Sequence, residues 1–259
     1  MRRRRPDWLS TCCYHVSNTC YEGVKIFRFA YMRDQAMKRL RQMKDKHPVR
    51  ILDFLLHPYG YRLLLDADHP GHISEAIRFF NGITVQDWQK RKKKQGPAWR
   101  SRYNLTLVQK GEQAVRCALD MDFAMARSGD PDLFHPLLWK HSGHYDLTGV
   151  RKRYRCVDFQ AVQKCFADAP KDNFHQWYIQ AANNKFDSGE YAAESWWEEA
   201  LAVGDRQLCE KIAHALPSSS FKLCAYPAPE TIPDLEQAIS YTIITAKQRK
   251  REYILSYAR

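Results

Sequence analysis

Val49-Arg50-Ile51-Leu52-Asp53-Phe54-Leu55-Leu56-His57-Pro58-Tyr59-Gly60-Tyr61-Arg62-Leu63-Leu64-Leu65 holds two apolar runs separated by a histidine, a proline, a tyrosine and a glycine. Each run is too short for a helix, and His57-Pro58-Tyr59-Gly60 has turn chemistry, so the stretch predicts two neighbouring strands. Upstream, Met32, Ala36, Met37, Leu40 and Met43 recur at three- and four-residue spacing and predict a helix over Ala30–Lys46. His47-Pro48 ends it, because the residue before a proline is pushed out of the α region. Farther upstream, Cys13-Tyr14-His15-Val16 favours a strand. Downstream of the loop Asp68-His69-Pro70-Gly71, residues Ile73, Ala76, Ile77, Phe80, Ile83 and Trp88 form the apolar stripe of a helix from Ser74 to about Lys92. That helix runs into the basic block Lys90–Lys94 and stops at Gly96-Pro97, and Tyr103–Gln109 alternates as a strand. The order βαββαβ predicts an α+β, ferredoxin-like fold, one antiparallel sheet with two helices.

Beyond Gly111 the pattern reads as mainly helical, over Glu112–Ala126, Phe159–Ala167, Phe174–Asn183, Ala192–Val203 and Arg206–Leu216. Leu216-Pro217-Ser218-Ser219-Ser220 and Pro227–Pro233 read as a linker, followed by a helix carrying Lys247-Gln248-Arg249-Lys250-Arg251. The expected division is therefore 1–110, a ferredoxin-like domain with a basic N-terminal arm; 111–216, a helical region; and 217–259, a linker and basic C-terminal helix.

The 259 residues are 44% hydrophobic and 27% charged, which excludes a disordered or collagen-like chain. No run approaches the ~18 apolar residues of a membrane span. The arginine-rich start lacks the apolar segment of a signal peptide, so a cytoplasmic location is expected. The eight cysteines contain no C-x2-C pair and read as reduced, buried small hydrophobes; no metal and no cofactor is expected from them. Of the net charge of +12, residues 1–110 carry 23 basic and 9 acidic side chains, a surplus of 14, whereas residues 111–259 are near neutral. A one-sided field of that size points to nucleic acid or an anionic surface; its plain alternative is a solvated basic face.

Several segments together resemble the single-tyrosine HUH transposases, in particular the bacterial branch associated with repetitive extragenic palindromes. Tyr14-His15-Val16-Ser17-Asn18 is similar to that family's first strand. Val49–Leu65 aligns without a gap to the family segment V-x-I-H-A-Y-V-L-M-P-N-H-x-H-L-L-L. Gly96-Pro97-Ala98-Trp99-Arg100-Ser101-Arg102-Tyr103 stands where the family has G-x-L-W-x-G-R-F, and Ala202-Val203-Gly204 resembles its A-L-G segment. The resemblance spans roughly residues 7–216.

The resemblance implies DNA chemistry in which two histidines hold a divalent metal and a helix tyrosine attacks a phosphate. By gapless placement the histidine positions are Gly60 and Arg62, and the tyrosine positions are Thr84 and Asp87. Glycine offers no ligand, and a guanidinium repels a cation. No tyrosine lies between Asp66 and Arg102. The expectation is thus a catalytically inactive relative with no metal. Arg62 then either binds phosphate in place of the metal or pairs with an acid such as Asp66 or Asp87.

The residues expected to bind structured nucleic acid, a hairpin or single-stranded DNA and by extension RNA, are Arg2, Arg3, Arg4, Arg5, Arg62, Lys90, Arg91, Lys92, Lys93, Lys94, Trp99, Arg100, Arg102 and Tyr103, with Arg151, Lys152 and Arg153 as a second patch. Packing at the start of a strand is the alternative for Trp99. His69, His72, His141 and His144 read as loop histidines, and His15 as a core or edge residue. Two other functions stay open: an active transposase or nuclease using unconventional residues, and an assembly scaffold binding a protein through the helical region. A homodimer, a regulatory or guiding role, and association with the nucleoid follow from the resemblance alone.

Overall fold

The computed structural model describes residues 7–93, 95–128, 135–189, 192–215, 222–226 and 240–244. A short 3-10 turn leads into β1 (Cys12–Thr19), then α1 (Ala30–Lys46), β2 (Val49–His57), β3 (Gly60–Ala67), α2 (Pro70–Lys92) and β4 (Asn104–Gln109). These strands are antiparallel in the order β2-β3-β1-β4, the ferredoxin-like arrangement expected from the sequence. β2 and β3 form a hairpin closed by Pro58-Tyr59, with His57 opposite Gly60. α2 starts on Pro70, whose fixed φ suits a first helical position, and the His69 side chain caps it by accepting from the Gly71 N–H at 3.2 Å. Lys93, in the left-handed conformation at φ 51°, ends it.

α1 and α2 cover one face of the sheet, where Tyr61 meets Phe80 edge-on and donates to Asn81 Oδ1 at 2.8 Å. Successive strand residues point to opposite faces, so Arg62 and Leu64 face the other way. There α3 (Glu112–Phe123), α4 (His144–Leu147), α5 (Phe159–Cys165) and α7 (Trp196–Glu199) pack against the strands. Leu63, Leu64 and Leu65 are consequently all buried, which is why that run does not alternate with polar residues. α6 (Phe174–Asp187) stacks outside this layer, placing Phe174 against Phe159 and Phe166.

The helical reading needs two corrections. Residues 200–203 do not continue a helix: Ala200–Gly204 is β5, parallel to β4 through Leu107–Ala202 and Val108–Val203. Its five residues are all buried, and an apolar run of that length carries no period to separate strand from helix. The unpaired N–H and C=O groups along the outer side of β4 decide it. After α8 (Arg206–Ala215), residues expected in a linker and helix form β6 (Lys222–Tyr226) and β7 (Ser240–Ile244), which extend the sheet as β5-β7-β6. The remaining linker positions and Lys247–Arg251 lie outside the described residues.

Leu64→Ala tests the two-sided sheet. With a core leucine removed and helices fixed on both sides, collapse is limited, and the loss is expected at about 2–5 kcal/mol. Urea unfolding should show a lower midpoint with an unchanged slope.

Candidate nucleic-acid interface

Position 60 is glycine for a reason of packing. β3 passes so close to β1 here that a Cβ on Gly60 would overlap the Asn18 carbonyl oxygen. This backbone has no room for an imidazole at the place where the resemblance puts a metal ligand. Arg62, two residues on, is held at the border of the covered face. Its guanidinium pairs with Asp120 of α3 at 3.4 Å and with Glu198 of α7 at 3.1 Å, rather than with Asp66 or Asp87. Asp120 is buried and shared with Arg127 at 3.0 Å.

Thr84 and Asp87 do not meet Arg62, because α2 lies on the opposite face of the sheet. Thr84 is buried rather than a helix-surface hydroxyl, and its Oγ1 has no hydrogen-bond partner. Asp87 accepts two hydrogen bonds from Arg39 of α1, at 2.8 and 2.9 Å, tying the two helices together. Both side chains are about a quarter exposed, so solvent screening leaves this pair worth ~1 kcal/mol or less. The four positions therefore form no common centre. Among the described residues no group of three or more His, Cys, Asp or Glu side chains is arranged to hold a metal ion.

The expected binding residues separate by environment. Lys90, Arg91, Lys92 and Lys93 are exposed along the end of α2 and just beyond it, as are Arg100 and Arg102 on the loop before β4. Trp99 is used in packing: its ring meets Tyr61 edge-on at 5.4 Å, and its indole N–H donates to the Asn81 carbonyl at 3.4 Å. Tyr103 is buried. Trp99 thus takes the packing role that the sequence left open, and the burial of Tyr103 corrects its reading as a stacking face. Arg151 is likewise structural, donating to Asp146 at 2.6 Å and to the carbonyls of Ser142 and Lys140. Lys152 and Arg153 stay exposed beside Tyr154, which is 78% exposed at φ 56° and lies 5.7 Å from the Arg41 guanidinium. Arg2–Arg5 and Lys94 lie outside the described residues.

The stacking aromatics come instead from a loop the sequence reading passed over, residues 21–29, together with the β2–β3 turn. Phe29 and Tyr31 stack at 5.8 Å with an interplanar angle of 15°. Arg91 lies 3.7 Å from the Tyr31 ring centre, while Lys92 and Arg28 lie 5.0 and 5.5 Å from that of Phe29. Tyr59, half exposed at the tip of the turn, has the Lys25 ammonium 4.8 Å from its ring centre. The alternation of rings and cations in Tyr21-Glu22-Gly23-Val24-Lys25-Ile26-Phe27-Arg28-Phe29 was the available signal. Without the fold, nothing showed which rings were outside: Phe27 is buried and Phe29 exposed.

Between these groups lies a half-open cavity of about 500 Å³, bordered by Arg28, Arg33, His57, Tyr59, Arg62 and Trp139. A second hollow of about 440 Å³, lined by Ser17, Asn18, Arg100, Arg102, Asn104 and Glu198, adjoins it through the Arg62–Glu198 pair. Ser17 stands opposite both Arg62 and Asn104 in the strand register, so the polar ends of β3, β1 and β4 make one row. Burial and the nearby Arg62 charge push the His57 imidazole down to about 3, and burial pushes His141 down to about 4. Neither is a loop histidine free to charge at neutral pH. His141 lies in a loop as expected but is buried between Arg33 and Asp34, whereas His144 opens α4 and is buried against Asp122 at 2.7 Å, which corrects its reading as a loop residue.

No family model and no curated protein matches the chain. Among solved structures it is similar to a REP-associated tyrosine transposase bound to a REP hairpin, at 12% identity and a TM-score of 0.42, over 61% of this chain and 91% of that one.

Two outcomes follow from the geometry. Gly60→Ala should destabilise the protein by ~1–3 kcal/mol in chemical denaturation, because the β1 backbone cannot yield to a methyl as a flexible side chain would. In an NMR titration, the His57 and His141 imidazole signals, assigned with His→Gln variants, should stay in their neutral positions from pH 8 to pH 5. Both groups have folded values below the unfolded value of about 6.5. The stability each contributes is therefore lost as pH falls from 6.5 toward its folded value.

Proposed function

We propose that this protein binds single-stranded or hairpin nucleic acid along the end of the sheet without cutting it. The observation that carries the reading is the pair of exposed rings, Phe29 and Tyr59, each with a guanidinium or ammonium beside it, Phe29 being backed by the partly buried Tyr31. Unstacked bases offer π faces to such rings, and the adjacent cations neutralise the phosphates between them. The exposed cations Lys90–Lys93, Arg100 and Arg102 continue the same sign of charge along the path. A duplex without unpaired bases would use only the charges, so hairpins with flanking single strand are the favoured ligands.

The absence of strand cleavage belongs to this proposal. It is supported by the overlap that excludes a side chain at Gly60, by the ion pairs of Arg62, and by the separation of Thr84 and Asp87 on the other side of the sheet. Arg62 then acts as a fixed charge at the groove border. Lys152, Arg153 and Tyr154 supply a further cationic and aromatic contact away from the sheet end. A regulatory or guiding role, in which bound nucleic acid is presented to another protein, fits a binder without chemistry of its own.

Filter binding with a hairpin carrying a single-stranded flank checks this. Affinity should fall steeply between 50 and 200 mM salt as phosphate contacts are screened. Replacing Lys90, Arg91, Lys92 and Lys93 together by Ala should weaken binding and flatten the salt dependence. Phe29→Ala and Tyr59→Ala should each cost ~1–3 kcal/mol for the flanked hairpin and little for a blunt duplex. Incubation with divalent metal should leave no covalent protein–DNA adduct; a reproducible adduct rejects the inactive assignment, and equal affinity in the four-residue variant rejects this surface.

A further inference from the structure

Arg33 is nine-tenths buried in the first turns of α1, and every group that holds it is neutral. Its Nη1 donates to the carbonyls of Phe27 and Arg28 at 2.6 and 2.9 Å, and its Nε donates to His141 Nδ1 at 3.0 Å. The Trp139 ring lies 4.5 Å away on one side. Asp34, exposed, makes no ion-pair contact with Arg33; it meets the other ring nitrogen of His141 at 3.0 Å and favours the arginine's charge from there. Among the described residues Nη2 has no acceptor, and the side chain borders the 500 Å³ cavity. A buried cation with no carboxylate in contact is costly, and a guanidinium held by three fixed acceptors keeps its remaining N–H pair aimed in one direction. Burial disfavours its charged form more than Asp34 favours it, and an anion in the cavity would offset the difference.

We propose that this cavity is a phosphate seat, in which Arg33 Nη2 donates to a phosphate oxygen while Arg28 and Arg62 flank the group. It deepens the nucleic-acid reading and rests on it for the source of the phosphate, a backbone or terminal phosphate of the bound strand. Arg28 is exposed at the rim and joins the seat to the Phe29 ring, so a strand whose bases stack there has its phosphate within the cavity's reach. The first turn of α1 carries no acidic residue and no side-chain cap, so its positive end adds to the field. Of the acids around the seat, Asp120 and Glu198 are engaged by Arg62, Asp120 also by Arg127, and Asp34 is held on the far ring nitrogen of His141. Tyr59, Trp139 and the neutral His57 also line the cavity with groups that add no negative charge.

The full chain is titrated with inorganic phosphate against sodium chloride of equal ionic strength, following the thermal midpoint. Phosphate should raise the midpoint and chloride should not. Arg33→Lys keeps the charge but loses the fork, and should weaken phosphate roughly tenfold to a hundredfold. Arg28→Gln, which alters a side chain that makes no hydrogen bond and keeps the backbone carbonyl that holds Arg33, should weaken it several-fold while leaving the fold intact. Phosphate should also compete with the flanked hairpin. No midpoint shift with phosphate in the unaltered protein overturns the seat, even where the hairpin binds with its expected salt dependence. A shift that both variants retain in full also overturns it. Phosphate binding without competition removes the nucleic-acid source, and phosphate binding where no hairpin binds rejects the broader reading while the seat stands.

Discussion

Burial of β3 on both faces governs the rest of this molecule. Leu63, Leu64 and Leu65 can all be apolar only because α1 and α2 cover one side and the α3, α4, α5 and α7 layer covers the other. A sheet sandwiched in this way has no open face for chemistry. What remains accessible is its end, where β1 finishes, β3 and β4 begin, and the polar row Asn104–Ser17–Arg62 emerges. Gly60 and Arg62 sit at that boundary, so one is fixed by backbone proximity and the other by two acids from the covering layer. The same constraint that stabilises the core thus moves function from the sheet face to its rim.

Charge at the rim is divided between structure and surface. Arg39, Arg50, Arg62, Arg116, Arg127 and Arg151 all meet carboxylates, and most of them join separate elements. Lys25, Arg28, Arg91 and Lys92 lie beside aromatic rings instead, where water and a polyanion can compete for them. Arg33 belongs to neither class, since it is buried as deeply as a structural arginine yet touches no carboxylate. A basic surplus concentrated in residues 1–110 therefore does not translate residue by residue into contacts; the partners of each cation decide whether it is available.

The sequence-level reading of Lys90–Lys93, Arg100 and Arg102 as exposed cations agrees with their positions, because long basic side chains flanking Gly-Pro seldom find buried acids. Trp99 was open to two readings and Tyr103 misled because an aromatic beside arginines has the same composition whether it stacks on a base or on Tyr61. Phe29, Tyr31 and Tyr59 went unnoticed because no periodic element contains all three; the loop and the turn meet only through the fold. His141 is the loop residue its spacing suggested, but with His144 at the start of α4 it is buried, held by Arg33 as His144 is by Asp122.

Local pattern alone determined the βαββαβ order, the hairpin at Pro58-Tyr59 and the basic end of α2, since each depends on periodicity, turn chemistry or unbroken charge within a few residues. The tertiary structure decided that Ala200–Gly204 is a strand, because the open edge of β4 needed hydrogen-bond partners from a segment about a hundred residues away. It also decided which arginines are neutralised and which ring faces stay exposed. Those outcomes depend on distances between segments remote in sequence, and no window along the chain contains them.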